Sequence, residues 1–294
     1  MRSDLQRAEA MAGWLFAAPA GLLYASFVLA PVLLTVVLSF AYYDPMMGSR
    51  WVGLENYERF LTDPRSLGIL WNTLRFTLFA VTGNVLLGLL LALALNRAMP
   101  SWLLSLLRLS FFLPVIVAAA FASIVWSYFL ADDLGVVNHY LRLAGLPGVR
   151  WLTDGQTAMA SIVMVDVWKN VGFFVVVFLA ALQGVPRALV EAAAMDATPA
   201  WRVFLRITLP HIAPVAVFCV VYASIGALQV YESIVILTGG GPGDATRSLS
   251  ILMVEQGFGS FQIGYAASIS VVMTVIILLI TAAQQWVSRR WVRP

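Results

Sequence analysis

A chain of 294 residues with 61% hydrophobic and only 11% charged residues cannot close as a water-soluble domain, because soluble folds keep about a quarter of their residues charged to cover their surface. The net charge of +3 comes with no basic helix or aromatic platform outside the apolar stretches, so a nucleic-acid-binding role is excluded. One cysteine and two histidines provide neither a disulfide framework nor a metal-spaced cluster.

Uninterrupted uncharged stretches run over Ala10–Tyr43, Phe76–Asn96, Leu109–Ala131, Ile207–Tyr231 and Gln256–Ser288. Thr157–Gly184 is as apolar but holds Asp166 and Lys169. Each reaches the roughly 20 residues that cross about 30 Å of hydrocarbon. The sequence therefore predicts an all-α integral membrane protein, one domain over 1–294. Its six transmembrane helices fall near 13–42, 71–96, 104–130, 157–184, 209–237 and 260–287. The first stretch is too long for a signal-peptide core and reads as an uncleaved helix, divided by Pro19 and Pro31 so that one end can lie in the interface.

Charge orients the six spans. With both termini cytoplasmic, ten arginines face inward (Arg2, Arg7, Arg97, Arg108, Arg187, Arg202, Arg206, Arg289, Arg290, Arg293) against the acids Asp4, Glu9, Glu191 and Asp196. The outer loops carry more acids than arginines, as the positive-inside rule expects.

The loop between the fourth and fifth spans, 185–208, is polar yet helical in composition. Arg187–Asp196 is rich in strong helix formers. Thr198 suits an N-cap and Pro199 the first position of a second short helix over Pro199–Leu209. Trp201, Phe204 and Leu205 fall at i, i+3 and i+4 and give it one apolar face. Such a knob either folds back on its own membrane domain or docks in a partner's groove, small alanines allowing close approach and aromatics anchoring it.

Here the residues resemble a family. Glu191-Ala192-Ala193, Ala197 after three residues, and Ile207-x-Leu209-Pro210 after nine more resemble the "EAA" loop of binding-protein-dependent ABC importer permeases. Val52–Tyr57, Asn72-Thr73-Leu74 and Leu237–Pro242 resemble the carbohydrate branch, in particular the maltose- and glycerol-phosphate-type first permease subunits. The resemblance implies a type I importer fold in the inner membrane and a second, related permease as heterodimer partner. It further implies two copies of a cytoplasmic ATPase that use ATP and Mg, and an extracytoplasmic solute-binding protein. By resemblance, Glu191, Ala192, Ala193, Asp196, Ala197, Leu209 and Pro210 form the ATPase-coupling site; this chain binds no cofactor and no metal. The solute is left open among oligosaccharides, polyols and glycerol-phosphate esters. The family glycine is Ala197 here, so the turn either stays in the right-handed region or, the favoured reading, is shaped by Thr198-Pro199.

The remaining sites are weaker. Asp166, Lys169 and Asn170 in the fourth span, and Gln229 and Glu232 near the fifth, are candidates for the substrate path, since ionisable groups in membranes face a cavity or a partner. Asp166 and Lys169, at i and i+3, can equally neutralise each other. Arg75 reads as a snorkelling residue and Asn84 as interhelical glue. Thr238–Ser248 (TGGGPGDATRS) lacks the Gly-Lys-Ser/Thr ending of a phosphate loop and reads as a flexible outer turn that meets the binding protein. An enzyme is not expected: there is no Gly-x-Ser-x-Gly elbow, and Glu191 and Asp196, five apart, share no helix face. A secondary transporter would be expected to show an internal repeat, and none is clear.

Overall fold

The computed structural model describes residues 2–44, 48–97 and 99–291; Arg293 of the charge pattern lies outside them. In chain order come α1 (Arg2–Tyr24), a π turn (Ala25–Leu29), α2 (Ala30–Leu38), a hairpin of β1 (Ala41–Asp44) and β2 (Gly48–Trp51), α3 (Glu55–Thr62) and α4 (Pro64–Leu95). Next are α5 (Ser101–Ile116), α6 (Ala119–Phe129), α7 (Val136–Leu143), α8 (Ala158–Gln183), α9 (Arg187–Met195) and α10 (Ala200–Val203). A second π turn (Phe204–Thr208), α11 (Leu209–Leu228), α12 (Glu232–Leu237), α13 (Leu249–Val254), a third π turn (Glu255–Gly259) and α14 (Ile263–Trp291) complete the chain. Among the described residues, five helices are long and apolar enough to cross a membrane, and the bent pair α5–α6 makes a sixth when it is counted as one span.

The chain divides into two compact units. One runs from the N-terminus to Thr62 and takes in Met253–Val272. Its first helix is not divided by proline: 28 residues, Met11–Leu38, run on through the π turn. That turn lies just ahead of Pro31, and such local π adjustment is how membrane helices absorb a missing donor. The large apolar side chains of this helix are mostly exposed, Phe16 at 88%. Its C-terminal end is fastened. Asn56 Nδ2 donates to the carbonyls of Ser39 at 2.9 Å and Ala41 at 3.0 Å, and the Tyr57 hydroxyl meets Ser39 Oγ at 2.6 Å. The hairpin pairs Ala41 with Trp51 and Asp44 with Gly48, antiparallel.

The other unit holds Asp63–Leu252 and the chain from Met273 onward. Asp63 caps α4 by accepting from the N–H groups of Arg65 at 3.1 Å and Ser66 at 3.2 Å, with Pro64 at the first helical position. Glycines set the spacing inside this unit. A Cβ on Gly88 would fall 2.5 Å from Phe174 Cβ, so α4 and α8 meet without room for a methyl. A Cβ on Gly172 would fall 1.9 Å from the Phe111 carbonyl oxygen, so α5 lies directly on α8. The core between them is Phe174, Phe178, Leu182, Ile212 and Cys219, all buried.

Two expected spans take different courses. The third, expected as one rod over 104–130, breaks into α5 and α6 at 102°. Val117 (ψ 132°) and Ala118 (ψ 141°) are both extended, and Pro114 lies in the last turn before them. The fifth, expected over 209–237, begins at Ala200 and ends at Leu228. The second short helix of the knob is therefore the start of this long rod, and residues 232–237 form the separate α12. Its N-cap is Pro199 (ψ 143°) rather than Thr198.

Candidate functional site

α9 is the short helix that the resemblance marks. It ends in a Schellman turn: the Thr198 N–H reaches the Ala193 carbonyl at 3.0 Å and the Ala197 N–H the Ala194 carbonyl at 3.0 Å. Ala197 has φ +49°, in the left-handed region, so the expectation of a turn without a left-handed residue is overturned. The physical reason is the pair of hydrogen bonds. They satisfy the last carbonyls of α9 only if the residue after the cap is left-handed, whichever side chain it bears.

Around that turn the knob is largely exposed. Met195 is 88% and Trp201 60% accessible, with Leu189 and Leu205 also outward. The carboxylates of Glu191 and Asp196 make no hydrogen bond or ion pair among the described residues. Glu191 sits, with Arg187, Gln183 and Phe204, on the wall of a cleft of about 630 Å³ between α9 and the ends of α4 and α8. Ala192 and Ala197 are exposed and Ala193 half-buried. Leu209 lies away from the turn, packed on the buried core, and Pro210 is exposed on the first turn of α11. Phe204 faces the cleft while Trp201 and Leu205 point out, so the three do not form one face.

A second cavity of about 340 Å³ opens between α4, α5, α8 and α11. Asp166, Asn170 and Phe173 recur at i, i+4 and i+7 on α8 and all line it. Asp166 Oδ2 accepts from Asn84 Nδ2 of α4 at 3.0 Å, and Oδ1 from Asn170 Nδ2 at 3.0 Å. The expected Asp166–Lys169 pair is absent. Lys169 Nζ donates instead to Asn170 Oδ1 at 3.3 Å, because that amide stands between the two charges. Asn84 Oδ1 is buried with no hydrogen-bond partner. Gln229 ends α11 and Glu232 starts α12, both exposed and outside this cavity. Sequence reading missed Tyr222, which stacks on Phe173 at 4.7 Å and on Phe218 at 6.0 Å. Its i, i+4 spacing to Phe218 was the available signal.

The Thr238–Ser248 loop is cross-linked by hydrogen bonds around Asp244 and Thr246. Asp244 accepts from Arg65 Nε at 2.7 Å and from Arg247 Nε, and its carbonyl accepts from Asn72 Nδ2 at 2.7 Å. Thr246 Oγ1 meets Thr238 Oγ1 at 2.8 Å and donates to the Gly241 carbonyl at 2.8 Å. Gly239, Gly240 and Gly243 supply the positive φ angles that wrap the loop around this hub. The Arg65 hydrogen bond, with Arg247 adding to it, holds the Asp244 carboxyl below the usual carboxylate range.

Residues 84–293 match the family described as binding-protein-dependent transport system inner membrane component. The chain belongs to that family, the ABC importer permeases. The permease is 33% identical over 270 residues to the sulfoquinovosyl glycerol transport system permease protein SmoG of Agrobacterium fabrum, covering 91% of this chain and 87% of that one. It is 33% identical to the lactose transport system permease protein LacF of Rhizobium radiobacter, over 98% of this chain and 97% of LacF. The trehalose/maltose transport system permease protein MalF of Thermococcus litoralis is also 33% identical, with the same shares of the two chains. Among solved structures, the permease fold matches a chain of a bacterial alginate ABC transporter in complex with an alginate pentasaccharide-bound periplasmic protein. The TM-score is 0.86 at 22% identity, over 100% of this chain and 98% of that one. The shared architecture is the type I importer permease fold.

Proposed function

We propose that this permease forms, with a second and related permease, the membrane path of an importer for a sugar or sugar-like solute. A solute-binding protein delivers the solute from outside. The observation that carries the reading is the cavity on α8, where a carboxylate, two amides and the Phe173–Tyr222 stack converge between helices apolar enough to span a membrane. Hydroxyl-rich, weakly apolar rings are held by such mixtures of directed polar groups and aromatic faces. Relatives named for lactose, trehalose/maltose and sn-glycerol-3-phosphate transport support the class.

Energy comes from outside the chain. ATP and Mg belong to two copies of a partner ATPase, which the exposed knob of α9 and Trp201 meets on the cytoplasmic side; the permease itself is not an enzyme. The arginine pattern supports cytoplasmic termini, with the permease in the inner membrane of its cell. The hydrogen-bonded outer loop around Asp244 is the surface offered to the binding protein.

The test is copurification with an ATPase assay on wild type and Glu191→Lys. Wild type should carry an ATPase and a second permease, with hydrolysis stimulated by the loaded binding protein, and the variant should insert but lose the ATPase or its stimulation. Solute uptake by the purified chain alone in liposomes would sink the reading in favour of a secondary transporter.

A further inference from the structure

We infer that Asp166 makes this path selective by charge, so that it admits neutral saccharides and rejects anionic ones; the inference rests on the α8 cavity being the solute path. The polar groups of the cavity wall are Asn84, Asp166, Asn170 and Tyr222, and no cation lines it among the described residues. Both carboxylate oxygens of Asp166 accept from neutral amides, at 3.0 Å each, hydrogen bonds that favour the ionised form. Lys169 is the nearest cation on α8. Its ammonium lies on Asn170 Oδ1 at 3.3 Å and does not line the cavity, so the wall presents the negative end of this cluster.

What the wall lacks is as telling. Asn84 Oδ1 is buried and receives no hydrogen bond, and Asp166 retains lone pairs beyond its two amides. The cavity thus offers the Asp166 carboxylate as acceptor beside the remaining amide N–H groups and the Tyr222 hydroxyl. A neutral saccharide brings hydroxyl donors for that carboxylate while its ring lies on Tyr222. A carboxylate, phosphate or sulfonate brings further acceptors and a like charge, and in a site of low dielectric that repulsion is several-fold stronger than in water. Donating to the Asp166 carboxylate and avoiding a like charge therefore point to the same solute class.

The experiment uses the assembled importer, with both permeases and ATPase, in lipid nanodiscs. Binding is measured by calorimetry with matched probes: lactose against lactobionate, maltose against maltobionate, and trehalose and sn-glycerol 3-phosphate as a further neutral and anionic member. Wild type should prefer the neutral member of each pair on the order of tenfold to a hundredfold. Asp166→Asn should reduce that preference at least about tenfold, by raising the affinity for the anion. Ile225→Lys places a cation on the same wall and should move the ratio in the same direction. It decides the matter if Asp166→Asn does not fold. Equal binding of both members by wild type, or a ratio unmoved in the variants, overturns the charge filter alone. No binding by any saccharide overturns the solute-path reading and the filter with it.

Discussion

The backbone N–H of Thr198 bonds to the carbonyl of Ala193 at 3.0 Å, and the chain between them passes through the left-handed region at an alanine. An L-residue there costs about 1 kcal/mol or more that glycine does not. Ala197→Gly should therefore stabilise the end of α9 by about 0.5–1 kcal/mol, the larger unfolded-state entropy of glycine offsetting part of the gain. Slower hydrogen exchange of the Ala197 and Thr198 amides would register it, and Ala197→Val should show the reverse. Faster exchange in the glycine variant would mean that the turn is not held as described.

Gly172 should tolerate no side chain. Its Cβ would lie 1.9 Å from a backbone oxygen of α5, which cannot swing aside as a side chain end could. Gly172→Ala is expected to cost about 1–3 kcal/mol and to lower the yield of folded permease in detergent. Gly21→Ala, in a first helix where an added methyl meets nothing within 4 Å, is the control and should leave yield unchanged.

Acid should loosen the outer loop. The folded carboxyl of Asp244 titrates below its ordinary value, chiefly through the Arg65 hydrogen bond. Its contribution to stability is therefore complete above the unfolded value near about 3.9 and fades as pH falls through the lower folded value. Limited proteolysis at Gly239–Gly243 should rise below about pH 4 in wild type. Asp244→Asn should be cut faster at pH 7, with little further increase on acidification.

Cavity and knob should separate in function. Asn84→Ala removes an amide that reaches the buried Asp166, a loss worth about 1–3 kcal/mol. It should reduce solute uptake at least about tenfold while the ATPase still copurifies. Trp201→Ala, altering an exposed ring on the knob, should weaken ATPase capture and leave saccharide binding unchanged. Identical phenotypes for the two variants would contradict the division of labour.

The apolar spans were legible because a bilayer demands long uncharged runs, and those runs survive any detail of packing. Where helices stop was less legible. The Pro31 region reads as a break and the second short helix as ending at Leu209, yet a π turn precedes each point and the helix runs on. The α5–α6 break was invisible, since two extended residues, Val117 and Ala118, are as apolar as their neighbours. Asp166 and Asn170 could be named from sequence because charge and amide are rare in a membrane. Their partner Asn84 lies 82 residues earlier, and the link to it needed the contact of α4 with α8. Asn56 and Tyr57 sat in a recognised motif, but their task of tying down Ser39 and Ala41 is a tertiary fact.

The run from Ala200 to Leu228 is one unbroken rod, with Trp201 at its exposed end and Tyr222 on the cavity wall. At 1.5 Å per residue these two rings are separated by about 30 Å along the axis. A rod of that length is a lever: a tilt of a few degrees at the ring outside displaces the ring inside by an ångström or more. The looser π turn at Phe204–Thr208 sits where a lever would flex, close to the exposed ring and far from the cavity. Stiffness beyond it means that movement at the knob reaches the aromatic wall as displacement instead of being lost in bending.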